Sequence, residues 1–148
     1  MNLEMAAVDD VDQLIERYHL ALDEFLKGNP EPAMELWSQR EDVSLANPYG
    51  PPVRGWDKIT EVVKHAASLR RDGKTISFET VAKHVTPELA YVVEIEQAEA
   101  KIGGREDITP FTLRVTMIFR LEDGEWKVVH RHADPITSTQ PAESVIQE

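Results

Sequence analysis

The chain has 148 residues and no cysteine, and its 27 Asp and Glu against 16 Lys and Arg give a formal charge of -11. These numbers exclude a disulfide scaffold, thiol catalysis and thiolate metal sites, and they speak against nucleic-acid binding, which needs clustered Lys and Arg. The length suits one domain that buries about 68–70% of its unfolded surface. No 18-residue apolar run suggests a membrane span, and the start MNLEMAAVDDVDQ lacks the basic and apolar regions of a signal peptide, compatible with a cytoplasmic location.

Residues 9 to about 27 read as an amphipathic helix. Val11, Leu14, Ile15, Tyr18, Leu22, Phe25 and Leu26 form its stripe, and Asp9, Asp10 and Asp12 sit at the positive end of its dipole. Gly28-Asn29-Pro30 stops it. Pro30 then opens a short second helix through Arg40, with Ala33, Leu36 and Trp37 inward. Val43 to Asn47 alternates as a strand with Val43, Leu45 and Asn47 on one face, before the turn NPYGPP. A third helix runs from Trp56 to about Arg71 on the stripe Ile59, Val62, Val63, Ala66 and Leu69, closed by Asp72-Gly73.

Four long strands follow: Thr75–Thr86, Leu89–Ile102, Ile108–Leu121 and Glu125–Ala133. They read as an antiparallel meander, with Pro110 marking a bulge or an edge and Glu122-Asp123-Gly124 a hairpin turn. From Pro135 the pattern ends, giving a domain over 1–134 and a flexible tail over 135–148. Helices followed by strands define an α+β fold, a curved sheet with helices on one face. Such a cone holds a pocket.

That order of elements resembles the nuclear transport factor 2-like superfamily over roughly Val8 to Asp134. The resemblance implies a cone-shaped, curved, antiparallel-rich sheet wrapped by three N-terminal helices, a cystatin-like roll. Within it, RYHLALDEFLKGNPEPAMELWSQREDVSLANPYGPPVRGWDKI resembles the ketosteroid isomerase pattern. That pattern has Arg-Tyr in helix 1, a strand ending in Asp-Pro-Phe-Gly, and Pro-Pro-x-x-Gly opening helix 3. The end, GEWKVVHRHAD, is similar to SnoaL-like polyketide cyclase relatives and to the association domain of calcium/calmodulin-dependent kinases. Tyr18 matches the isomerases' oxyanion-donating tyrosine. Asn47 stands where the proton-shuttling Asp belongs, and a carboxamide cannot take up and return a proton at neutral pH. Met117 stands near the second acid. With two of three groups gone, steroid isomerisation is not expected.

Each candidate has a bland reading beside the functional one. Tyr18 is a core tyrosine with a backbone partner or a pocket-facing donor. Asn47 opens an Asn-Pro turn or hydrogen-bonds a ligand carbonyl at the pocket floor. His130 and His132 share a strand face with Val128 and Trp126, while Arg131 shares the other with Val129 and Ala133. Alignment to the isomerase turns Val129 and Arg131 to the pocket and the histidines to a partner subunit. Arg131 would bind an anion bidentately, or pair with Glu94 or Glu96.

The His-x-His run lacks a full ligand set, since His19, His65, His84 and scattered carboxylates show no compelling spacing. No metal and no cofactor are expected. Asp23 with His84 is a faint echo of an acid–base dyad in some relatives, and two solvated residues are the favoured reading. By the family pattern Trp56 caps the pocket mouth, or it is a helix-start staple. Met117 belongs to an apolar stripe that serves as core or as ligand wall. Trp56, Met117, Val129 and Tyr49 are the expected substrate contacts.

The expected protein is therefore a small-molecule pocket protein of the SnoaL-like or isomerase-related type. It would act as an isomerase, cyclase or dehydratase on an apolar carbonyl or hydroxylated compound through Tyr18, Asn47 and Arg131. The alternative is a non-catalytic ligand-binding or assembly domain. A homodimer through the outer sheet face is expected, because Trp126 and Val128 beside the histidines need cover.

Overall fold

A computed structural model describes residues 2–147. Helix α1 spans Leu3–Phe25, beginning earlier than the acidic cluster suggests, because the Asn2 side chain caps it by accepting from the Met5 amide at 2.8 Å. Its buried stripe includes Val11, Leu14, Tyr18 and Leu22. Removing a Val or Leu of this kind from water contributes roughly 1.5–3 kcal/mol. The second helix α2, Glu31–Glu35, is a single turn rather than a run to Arg40. Beyond it, Trp37 bridges to Val128 and Ser38 donates to the Val128 carbonyl, so the chain is held as extended backbone beside the sheet.

Strands β1 (Ser44–Ala46) and β2 (Val53–Arg54) frame the NPYGPP turn, and helix α3 covers Trp56–Ser68. Four long strands complete the sheet: β3 Arg70–Val85, β4 Leu89–Ile102, β5 Thr109–Glu122 and β6 Glu125–Asp134. The order is β2-β1-β6-β5-β4-β3, antiparallel throughout except that β1 lies parallel to β6. This is an α+β architecture with a six-stranded curved sheet and its helices gathered at the N-terminal half of the chain. Among the described residues no helix is long and apolar enough to cross a membrane.

Strand β3 begins at Arg70, five residues before the expected Thr75. Here the sheet passes very close to the end of α1. The Gly73 amide donates to the Leu26 carbonyl at 3.1 Å, and a Cβ at Gly73 would come within 2.8 Å of Leu26 Cβ and 2.7 Å of the Glu99 carbonyl oxygen. Only glycine permits that approach. The β5–β6 hairpin turns through Asp123 and Gly124, both with positive φ, as a two-residue primed turn requires. Pro110 causes no shift in the β4–β5 register; it pairs with Glu99 where β5 runs past the end of β6, so it is locally at an edge.

One expectation about faces is overturned. Ile118 pairs with His130 but Phe119 pairs with Val128, which leaves Val129 as the extra residue of a β-bulge. The bulge reverses the alternation. Val128 is fully buried and Trp126 packs against the core, so neither accompanies the histidines on the outer face. That face instead carries Tyr91, Val93, Ile95 and Ile118, in register with His130 and His132. The tail beyond Asp134 is exposed, with one 3-10 turn at Ala142–Val145.

Candidate functional site

The concave face of the sheet and the helices enclose a cavity of about 90 Å³ that reaches Tyr18 on α1, Trp37 after α2, Asn47 after β1, Glu96 on β4 and Arg131 on β6. A second cavity of about 480 Å³ adjoins it under the NPYGPP turn and α3. Asn47, Tyr49, Ala66 and Arg70 line both. The structure therefore brings Tyr18, Asn47, Arg131 and Tyr49 to one place.

Tyr18 is 4% exposed, and its hydroxyl accepts from Trp37 Nε1 at 3.3 Å. The hydroxyl's own proton has no acceptor among the described residues. Burial pushes the Tyr18 pKa up, only partly opposed by the Arg131 charge, whose guanidinium lies 5.5 Å from the ring centroid. The phenol stays protonated at neutral pH and can donate. Asn47 uses its side-chain oxygen to accept from the Tyr49 amide at 3.1 Å, which leaves its NH₂ group as the end available to a ligand.

Arg131 is buried and donates from Nη2 to Glu96 Oε1 at 3.3 Å and from Nη1 to Met117 Sδ at 3.5 Å. Burial works against its charge, but Glu96 and Tyr18 hold its pKa above the ordinary arginine value. Both readings of Arg131 meet here: it lines the cavity, and it is paired. Its charge is already answered by Glu96, so it is not a free anion receptor. One carboxylate oxygen of Glu96, Oε2, makes no hydrogen bond among the described residues.

Three expected substrate contacts lie elsewhere. Trp56 packs on the core at the start of α3, and the cavities open beside the later residues of that helix, Val62, Val63 and Ala66. Met117 is 1% exposed and lies behind the Arg131 guanidinium. Val129 points inward as the bulge residue but joins the core cluster. Asp23 is not a dyad partner of His84: its Oδ1 accepts from the amide and the hydroxyl of Thr75, each at 2.7 Å, pinning α1 to β3. His84 stands beside Tyr91.

The histidines of β6 are engaged on the outer face, His130 Nδ1 with Ser44 Oγ at 2.8 Å and His132 with Asp134 at 3.0 Å. Burial lowers the His130 pKa and neighbouring His132 adds to this, against a smaller opposing effect of Ser44. Sequence reasoning missed three participants. His19 grips the buried Glu94 at 2.8 Å and stacks on Phe78 with ring centroids 3.5 Å apart; Trp37 holds Tyr18; Arg70 lies at the junction of the cavities. The alternation of β4 signalled Glu94 and Glu96 as a pair on one face, but not that the face was concave.

The helices, the turn after β1 and the concave face of the sheet bring a tyrosine, an amide and a buried ion pair together inside a fold of the nuclear transport factor 2-like type. A SnoaL-like domain model matches residues 11–137, and the chain belongs to that family. Among solved structures, a nuclear transport factor 2-like superfamily protein from Salmonella enterica serovar Typhimurium is 19% identical with a TM-score of 0.76, covering 94% of this chain and 97% of that one. A candidate dehydratase of the same superfamily from Streptomyces avermitilis is 18% identical with a TM-score of 0.73, covering 90% and 99%. A ketosteroid isomerase-like protein from Erwinia carotovora atroseptica is 17% identical with a TM-score of 0.73, covering 93% and 100%. At such identities the likeness is one of fold. A comparison with the curated proteins yields no match.

Proposed function

We propose that the protein binds a small apolar carbonyl or hydroxylated compound and moves a proton on it without a cofactor, as an isomerase, cyclase or dehydratase does. The observation that carries this reading is the buried Tyr18 hydroxyl, held by Trp37, with its proton unused. Such a donor stabilises charge developing on a ligand oxygen in a site shielded from water. Asn47 adds a second donor. Glu96, whose Oε2 is unengaged, takes the role of base that Asn47 cannot fill.

The test has two stages. Thermal-shift screening against aromatic ketones and hydroxyketones reports binding by mass action, about 2.7 kcal/mol of stabilisation at a hundred times Kd. Ligands that bind are then followed by NMR in D₂O for exchange of protons adjacent to the carbonyl. Tyr18→Phe is expected to slow exchange on the order of 10²-fold while binding persists. Binding without exchange in the wild type would favour the non-catalytic alternative, and no binding at all would remove the pocket reading.

A homodimer through the outer sheet face is part of this proposal. It is supported by Tyr91, 41% exposed, beside Val93, Ile95 and Ile118 on that face. Light scattering should give twice the chain mass of 16.8 kDa, falling to the single mass in Ile118→Arg. A wild type that already runs at the single mass would rule the dimer out.

A further inference from the structure

Four charged side chains are buried among the described residues: Arg70, Glu94, Glu96 and Arg131. Glu94 holds His19 and Glu96 holds Arg131, but among the described residues no carboxylate lies within 4.0 Å of Arg70. Carboxylates are not scarce in a chain with 27 of them against 16 Lys and Arg. Arg70 is 5% exposed. Nη1 donates to the Ala66 carbonyl at 2.7 Å and Nη2 to the Tyr49 hydroxyl, while Nε is buried with no partner among the described residues. The guanidinium also lies 5.5 Å from the Phe25 ring centroid and 4.8 Å from that of Tyr49.

The aromatic faces and the C-terminal carbonyl of α3 offset part of the cost of burying this charge. They supply no counter-charge, and an uncompensated buried cation is costly. Arg70 lines both cavities at their junction, so that counter-charge can arrive with a ligand. The inner cavity is small, about 90 Å³. The adjoining one, about 480 Å³, lies within the usual range for small-molecule sites, about 300–1,000 Å³. Tyr49 stands between them, 61% exposed on its turn and tied to the cavity wall by its bond to Arg70.

We propose that Arg70 anchors the carboxylate of this pocket's ligand, a compound with an apolar body and a single carboxylate, and that the Tyr49 hydroxyl is displaced when that carboxylate docks. The inference deepens the pocket reading above and rests on it. A planar carboxylate matches the guanidinium fork. Among the described residues the other Lys or Arg lining these cavities is Arg131, which is committed to Glu96, so a dianion would find no second free guanidinium or ammonium here. Val53, Val62, Leu69 and Ile102 supply the apolar wall of the larger cavity.

The test compares 2-naphthoate with the neutral 2-naphthamide by calorimetric titration, using wild type, Arg70→Gln, Arg70→Lys and Tyr49→Phe, each first checked for folding by its melting curve. The wild type should bind naphthoate about tenfold or more tightly than the amide, the range expected of a hydrogen bond to a charged group. Arg70→Gln should bring the ratio to about one. Tyr49→Phe, which removes the competing hydroxyl, should tighten naphthoate. If the glutamine variant fails to fold, Arg70→Lys should keep the preference for the acid and weaken it. Equal affinities for the two probes in the wild type, or a preference that survives Arg70→Gln, would overturn the anchor while leaving the pocket reading standing. Failure of both probes to bind would overturn the anchor, and the screen of ketones and hydroxyketones decides the pocket reading separately.

Discussion

Replacing Glu96 with leucine should cost the fold about 3–5 kcal/mol, because it strands a buried arginine. Arg131 is 9% exposed and Glu96 4%, so losing one partner leaves the other charge largely shielded from bulk water. The double variant Glu96→Leu with Arg131→Met should recover most of the loss, since an apolar pair of similar volume avoids desolvating two charges. Urea unfolding of wild type, both single variants and the double variant gives the coupling directly. If the two single losses simply add in the double variant, the ion pair is not what stabilises this wall of the cavity. A recovered double variant would have a stable fold with the acid and the guanidinium removed from the cavity, so it also separates their stabilising part from any chemical one.

The second large effect is expected at Phe119, which is 0% exposed and sits opposite Val128 at the β-bulge. Phe119→Ala should cost about 3–5 kcal/mol, the lost transfer of the ring plus the void left behind. The urea midpoint should fall with an unchanged slope. Phe119 lines neither cavity, so the folded fraction of the variant should keep wild-type affinity for any ligand found by screening. A variant that loses affinity at full folding would show instead that the bulge shapes the site.

Much of this architecture could be read from the chain because its signals are local. The apolar stripe of α1, the Asp123-Gly124 turn and the alternation of β4 depend on neighbours a few residues away. The same period placed Glu94 and Glu96 on one face and brought Arg131 to the side opposite His130 and His132. Parity failed at Val129, where one extra residue turned Trp126 and Val128 inward. A bulge leaves little trace in a strand of valines, and the error moved two apolar residues from a supposed interface into the core. Trp56 failed for a related reason: the direction in which a helix end points is set by the strands it packs on, not by its own stripe.

Sequence alone determined the family of the fold and the order of its three helices and four long strands, while the short strand Val53–Arg54 went unread. Tertiary structure decided which charges are answered. Arg131 and Glu96 are 35 residues apart and become partners only through the curvature of the sheet. Arg70 reads in the sequence as half of a basic pair at a helix end, and becomes a buried, unanswered cation only when Phe25 and Tyr49 close around it. Period and propensity are properties of neighbouring residues. The electrostatic state of a buried group depends on every segment that excludes water from it, and those segments meet only in the folded chain.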